Sequence, residues 1–205
     1  MSKRVKILKN NKKSGNIIWL GIISMQEIGG TCMNNDTREF INNFAADIIR
    51  EFNIDVPIRD IVEVVDTLGG RVIIDDSLGY GIDGKVEKEG NSFVIIVSPY
   101  QTKERLNFTI AHEIGHLFLH MGYMVHEELW ERQDQCNYYR SGDSEKEYQA
   151  NEFAAAFLMP EDKYKEIMDE HTVGNIVHTG EIAREFNVSP GAASNRGKWL
   201  GYLRW

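Results

Sequence analysis

An α+β fold is predicted for this chain of 205 residues, and three features of the sequence predict it. Apolar side chains recur at helical spacing in several separate stretches. Short runs rich in β-branched residues cluster between positions 71 and 98. Glycine or proline marks most of the changes from one pattern to the other. Together they describe a small antiparallel sheet set among helices, one long central helix, and a helical C-terminal tail.

The elements follow in order. Residues 37–52 place Phe40, Ile41, Phe44, Ala45, Ile48, Ile49 and Phe52 on one face, with Asp36 or Thr37 available as the cap. Pro57, at a first-turn position, opens a second helix that runs to Leu68 and is closed by Gly69-Gly70. A strand is expected at Arg71–Asp75. Two more β segments, near 80–88 and 92–98, are separated by Glu89-Gly90-Asn91, and Pro99 ends the sheet. The central helix runs from Thr102 to His120. Residues 122–143 are polar and aromatic with weak periodicity and read as a long loop, with room for one helical turn. A helix from Ser144 stops at 158 before Pro160, which begins a shorter one to about Glu170. From 178 the pattern is helix, an Asn187-Val188-Ser189 turn, then helix to about Leu200.

Composition narrows the function classes. Hydrophobic residues at 42% and aromatics at 10% suffice for a core, and with four prolines and no low-complexity tract the chain does not read as disordered. The net charge of −8 is unevenly spread. Residues 1–32 hold Lys3, Arg4, Lys6, Lys9, Lys12 and Lys13 against Glu27 alone, so the remainder keeps 17 basic and 30 acidic side chains, a net of −13. So acidic a body is a poor general ligand for phosphate backbones. Cys32 and Cys136 are too few for a disulfide framework and read as unpaired thiols in a reducing cytoplasm. The basic start and the Ile17–Ile23 run have the outline of a signal peptide, but no Ala-x-Ala site follows and the run is too short to span a bilayer. Residues 1–34 are therefore read as a tail, with Met33 as an alternative natural start, and the protein is expected to be cytoplasmic.

The chemistry concentrates in His112-Glu113-Ile114-Gly115-His116, an H-E-x-x-H inside the central helix. Residues four apart on a helix project from one face, so both imidazoles reach a common point, and neutral imidazole is a good zinc ligand. Glu113 falls beside that point, placed to hold and deprotonate a water. The flanking residues Phe108, Ile110, Ala111, Ile114, Leu117 and Phe118 are apolar. Burying two histidines and a glutamate among them is costly without a metal or a cleft. Catalytic zinc takes a third protein ligand. The candidates are Glu145, Glu147, Glu152, His120 and His126. His120 lies eight residues past His112, where the longer metzincin pattern needs ten and a glycine turn, so it reads better as a packed or hydrogen-bonded histidine. Glu147 is the strongest candidate, because Asn151 stands four residues on and can orient a ligating histidine while Glu147 binds metal.

The stretch Phe108-Thr109-Ile110-Ala111-His112-Glu113-Ile114-Gly115-His116-Leu117-Phe118-Leu119-His120 resembles the core signature of the ImmA/IrrE metallopeptidases. Glu147 through Pro160 (EYQANEFAAAFLMP) resembles that family's second block, and the likeness extends over about residues 37–200. It implies a minimal thermolysin-like zincin in which His112, His116 and Glu147 bind Zn2+ and Glu113 is the general base. Asn151 stands where the broader class often has aspartate; its amide accepts a hydrogen bond but brings no charge. The 117–146 connection and residues 1–32 lie outside the resemblance.

The resemblance implies a regulatory peptidase acting on one or few intracellular proteins, typically a helix-turn-helix repressor of a phage, a mobile element or a stress response. A donor to the oxyanion is expected among His120, Tyr123, Arg105 and Tyr100. Residues 35–172 form the expected peptidase domain and 173–205 a helix-turn-helix-like segment, carried by Glu181–Pro190 with Ala192-Ala193. Residues 178–205 hold four basic and two acidic side chains, a weak footprint for DNA, so packing on the peptidase body or substrate docking is the expected role. Three other readings compete: a non-proteolytic zinc-containing regulator, a toxin–antitoxin component, and a DNA-binding regulator acting through the tail.

Overall fold

The computed structural model describes residues 34–79, 81–133 and 144–205. The N-terminal tail through Met33, both cysteines and the 134–143 part of the expected loop lie outside the described residues. Helix α1 (Asn35–Glu51) begins two residues earlier than its apolar pattern suggests, because the Asn34 side chain caps it by accepting from the Thr37 amide at 2.7 Å. Helix α2 (Ile61–Leu68) corrects the expected start at Pro57. Asp60 is the cap, accepting from the amides of Val62 and Glu63, while Pro57 lies upstream in a cis peptide with Val56. Gly69 closes α2 in the left-handed region, at φ 94°.

Strands β1 (Arg71–Ile74), β2 (Gly84–Glu89) and β3 (Ser92–Val97) form one sheet in the order β1-β3-β2. The sheet is mixed, not antiparallel as expected. β2 and β3 make the hairpin around Gly90, but β1 runs parallel to β3, in register from Arg71↔Val94 to Ile74↔Val97. β3 is the central strand, paired along both edges, and its Phe93, Val94, Ile95 and Val97 are buried.

Helix α3 (Lys103–Leu119), capped by Thr102, lies against this sheet and carries the H-E-x-x-H. Within the expected 122–143 loop stands a short helix, α4 (Glu127–Arg132), started by His126 and pinned by Trp130 stacking edge-on to Tyr123 at 4.9 Å. Its six residues are too few to give a readable period. Helix α5 (Ser144–Leu158) crosses α3 and α1. Phe44, Phe118, Phe153 and Phe157 interlock at that crossing. Helix α6 (Glu161–Glu170) follows, then a two-stranded hairpin absent from the sequence reading, β4 (Thr172–Val173) and β5 (Ile176–Val177). Helices α7 (Thr179–Phe186) and α8 (Pro190–Trp199) flank the expected turn, where Asn187 takes φ 53°. The described residues thus form an α+β fold of eight helices and a small sheet. None of these helices is long and apolar enough to cross a membrane.

Helix α8 is bound to the rest through buried polar contacts. Arg196, 3% exposed, donates to the Met159 carbonyl at 3.0 Å and faces Glu152 at 3.4 Å. Glu152 also accepts from Asn42 at 2.7 Å and from Arg38 at 3.2 Å, and the Arg38 guanidinium lies 3.9 Å over the Trp199 ring. Burial pulls the Arg196 guanidinium below its usual range, and the Glu152 carboxylate opposes that shift.

Two buried tyrosines make stability sensitive to alkali. Tyr164 donates to the Ala193 carbonyl at 2.7 Å and Tyr123 to the Leu68 carbonyl at 3.0 Å. Burial pushes both phenols up to about 12. Above about pH 10 the unfolded chain releases these protons and the folded chain keeps them. Stability is therefore full below pH 10 and declines as pH rises toward 12. Thermal melts across that range should show a decline that Tyr164→Phe reduces.

Candidate metal centre

Three side chains meet where α3 and α5 cross. His112 and His116 are one turn apart on α3, and Glu147 comes from the first turn of α5. The two Nε2 atoms lie 3.0 Å apart, and each is 3.3 Å from one Glu147 oxygen. Among the described residues, this is the group of histidine, cysteine and carboxylate side chains whose donor atoms converge, all within 4.8 Å of one another. Bonds of about 2.0–2.1 Å to a tetrahedral zinc ion place its donor atoms about 3.3 Å apart. Two imidazoles and one carboxylate at 3.0–3.3 Å therefore fit such an ion and leave its fourth position for water or substrate.

Each imidazole is held from behind. His112 Nδ1 lies 3.0 Å from Asn151 Oδ1; with the amide oxygen accepting, the neutral ring carries its proton on Nδ1 and keeps the Nε2 lone pair for an ion. His116 Nδ1 lies 2.9 Å from His120 Nδ1. Glu113, 2% exposed, sits on α3 between the two histidines and lines the same cleft.

That cleft encloses about 280 Å³ and opens to solvent between β2 and the two helices. Gly81, Asp83 and Gly84 form one wall; Arg105, Phe108 and Thr109 belong to α3. Arg105 stands on the wall, held by Asp83 through its Nε at 3.1 Å and a second guanidinium contact. Gly84 is required there: a Cβ at this position would meet Thr109 Cγ2 at 2.6 Å.

Several expected site residues do other work. The Tyr123 hydroxyl donates to the Leu68 carbonyl, and the residue is 4% exposed and does not line the cleft. His120, 7% exposed, stands behind His116 and does not line the cleft. Tyr100 is 83% exposed and also lies off the cleft wall. Of the other candidate third ligands, Glu152 is taken up by Arg38, Asn42 and Arg196. His126 caps α4 by accepting from the Leu129 amide, and Glu145 accepts from Gln149 at 3.4 Å. Sequence reasoning missed Asp83, Gly81 and Gly84, which carry no motif, and Gln149, which lies between recognised positions.

Gly115 sets the spacing of the two site helices. A Cβ there would meet the Ala150 backbone and Phe153 Cβ, each at 3.2 Å. Gly115→Val should cost about 1–3 kcal/mol in urea unfolding, because the α5 backbone must retreat, whereas in Gly115→Ala the helix-propensity gain of about 1 kcal/mol offsets the smaller crowding. Metal affinity should fall with stability, since Glu147 moves with α5.

A family model for the peptidase M78 family, described as an IrrE N-terminal-like domain, matches residues 65–198. The chain belongs to this family. As an M78 member it is of the metallopeptidase kind. No curated protein matches it significantly. Among solved structures, a Mycobacterium tuberculosis transcriptional regulator is similar at a TM-score of 0.48 and 15% identity, over 100% of this chain and 53% of that one. The chain thus spans about half the length of that regulator.

Proposed function

We propose that this M78 member is a zinc-dependent endopeptidase that cleaves a specific intracellular protein, with a helix-turn-helix repressor as the substrate class. The observation that carries the reading is the convergence of His112, His116 and Glu147 beside Glu113 on the wall of an open cleft. Zinc, when bound by these three side chains, supplies Lewis acidity toward a carbonyl oxygen and lowers the pKa of water toward neutrality. Asn151 holds His112 in the tautomer that presents Nε2. Glu113 accepts the water proton and returns it to the departing amine. The Arg105 guanidinium, fixed by Asp83 on the cleft wall, offers a cation to a substrate carbonyl or carboxylate.

The substrate segment enters extended. Among the described residues β2 pairs with β3 alone, so its other edge offers main-chain donors and acceptors, and Gly81–Gly84 bring that edge to the cleft. The cleft is a groove lined by the start of β2, α3 and α5, a shape suited to an exposed, extended segment such as an unfolded linker of a repressor. The C-terminal helices favour a packing or docking role over DNA binding. Arg196 is buried, Arg184 pairs with Glu181, and Lys198 lies 5.5 Å over the Trp205 ring. That leaves little free positive charge for phosphates.

The test is a gel assay of the zinc-loaded protein with the repressor encoded nearest to it. One discrete cut, abolished by chelator and restored by zinc, is the expected result. Zinc binding without cleavage of this or any other repressor tried would move the reading to a non-proteolytic zinc-containing regulator.

A further inference from the structure

We propose that His120 and Gln149 form a relay that fixes the tautomer and the aim of His116, which makes His120 a positioning residue. This rests on the reading above that His116 binds metal through Nε2. The argument is one of proton bookkeeping. His116 turns Nε2 toward Glu147 and His112, at 3.3 and 3.0 Å; as a metal ligand that nitrogen offers its lone pair to the ion, and the proton of the neutral ring then sits on Nδ1. Nδ1 lies 2.9 Å from Nδ1 of His120. Two nitrogens at that distance share one proton, so His120 accepts there and carries its own proton on Nε2.

His120 Nε2 lies 2.9 Å from Gln149 Oε1, an atom that can only accept. The amide is oriented in turn, since its Nε2 donates to Glu145 Oε1 at 3.4 Å. With both rings neutral and the Gln149 oxygen accepting, every link is satisfied when His116 carries its proton on Nδ1 and presents Nε2 unprotonated. His120 and Gln149 are 7% and 6% exposed, so water does not compete for these positions. The two histidines are thus served by different devices from the same helix: Asn151 of α5 holds His112 directly, while Gln149 of α5 holds His116 through His120. Both tie the ligand aim of α3 to the seating of α5.

The experiment uses the full chain loaded with zinc. Long-range proton–nitrogen NMR correlations read which ring nitrogen of each histidine is protonated. The expected result is Nδ1–H on His116 and Nε2–H on His120; Nδ1–H on His120 overturns the proposal. This measurement on the unaltered protein does not depend on any variant folding. Chelator competition supplies the second readout. His120→Phe should lower zinc affinity about 10–100-fold. His120→Asn, whose Oδ1 can accept from His116 in place of Nδ1, should recover most of it. His116→Ala separates the two levels. If it binds zinc as tightly as the unaltered chain, the ligand reading itself fails and the relay with it. If it loses zinc while His120→Phe keeps full affinity, the ligand reading stands and the relay is wrong.

Discussion

Glu113→Gln is expected to bind zinc as the unaltered chain does and to lose about 10²–10⁴-fold in cleavage rate. Glutamine matches glutamate in size and so preserves packing at a position 2% exposed. It cannot take a proton from water at neutral pH. The side chain is not among the three converging donors, so metal content should be unchanged. Single-turnover cleavage of the repressor, beside zinc content measured on the same sample, checks both halves. Equal loss of zinc and activity would make Glu113 part of the metal's support rather than the base. Undiminished cleavage would remove it from the mechanism.

Glu152→Ala is expected to be the most destabilising single change at the buried polar junction. It takes from Arg196, 3% exposed, its ion-pair partner, leaving the weaker pull of Glu161, and removes partners from Arg38 and Asn42. Breaking a buried pair from one side costs about 3–5 kcal/mol. In a chain of this size that lowers the melting temperature by about 6–20 °C. Replacing Arg196 by methionine in the same chain should recover part of the loss, because the uncompensated charge goes too. Thermal melts of the two single variants and the double variant test this. A shift under about 2 °C for Glu152→Ala would mean that the network is solvated in solution. The same junction ties α1, α5 and α8 together, so it also seats the helix that carries Glu147.

The α+β class, the long central helix and the helices beginning at Ser144, near Pro160 and near 178 were legible because their signals are local. An apolar period, a capping residue and a proline each act within a few residues of themselves. Local signals misled where two competed. Pro57 reads as a helix start, but Asp60 holds the cap, since its carboxylate meets two amides that a proline cannot serve. The direction of β1 was not legible at all. Its four residues pair with β3 across the intervening hairpin, and a strand's own alternation says nothing about which way its partner runs.

What the sequence determined by itself is the spacing of His112, Glu113 and His116 on one helix, and the family, since both depend on neighbours along the chain. The tertiary structure brings Glu147, of the five candidates, to the Nε2 atoms of both histidines. Glu145, Glu147 and Glu152 share α5, and only the crossing of α3 against α5 at Gly115 brings Glu147 to them while turning Glu152 toward Arg196. It also decided that His120 and Tyr123 lie behind the site rather than in it. A residue's type says what it can donate or accept, but its partner is set by packing between elements distant in sequence, which no local pattern encodes.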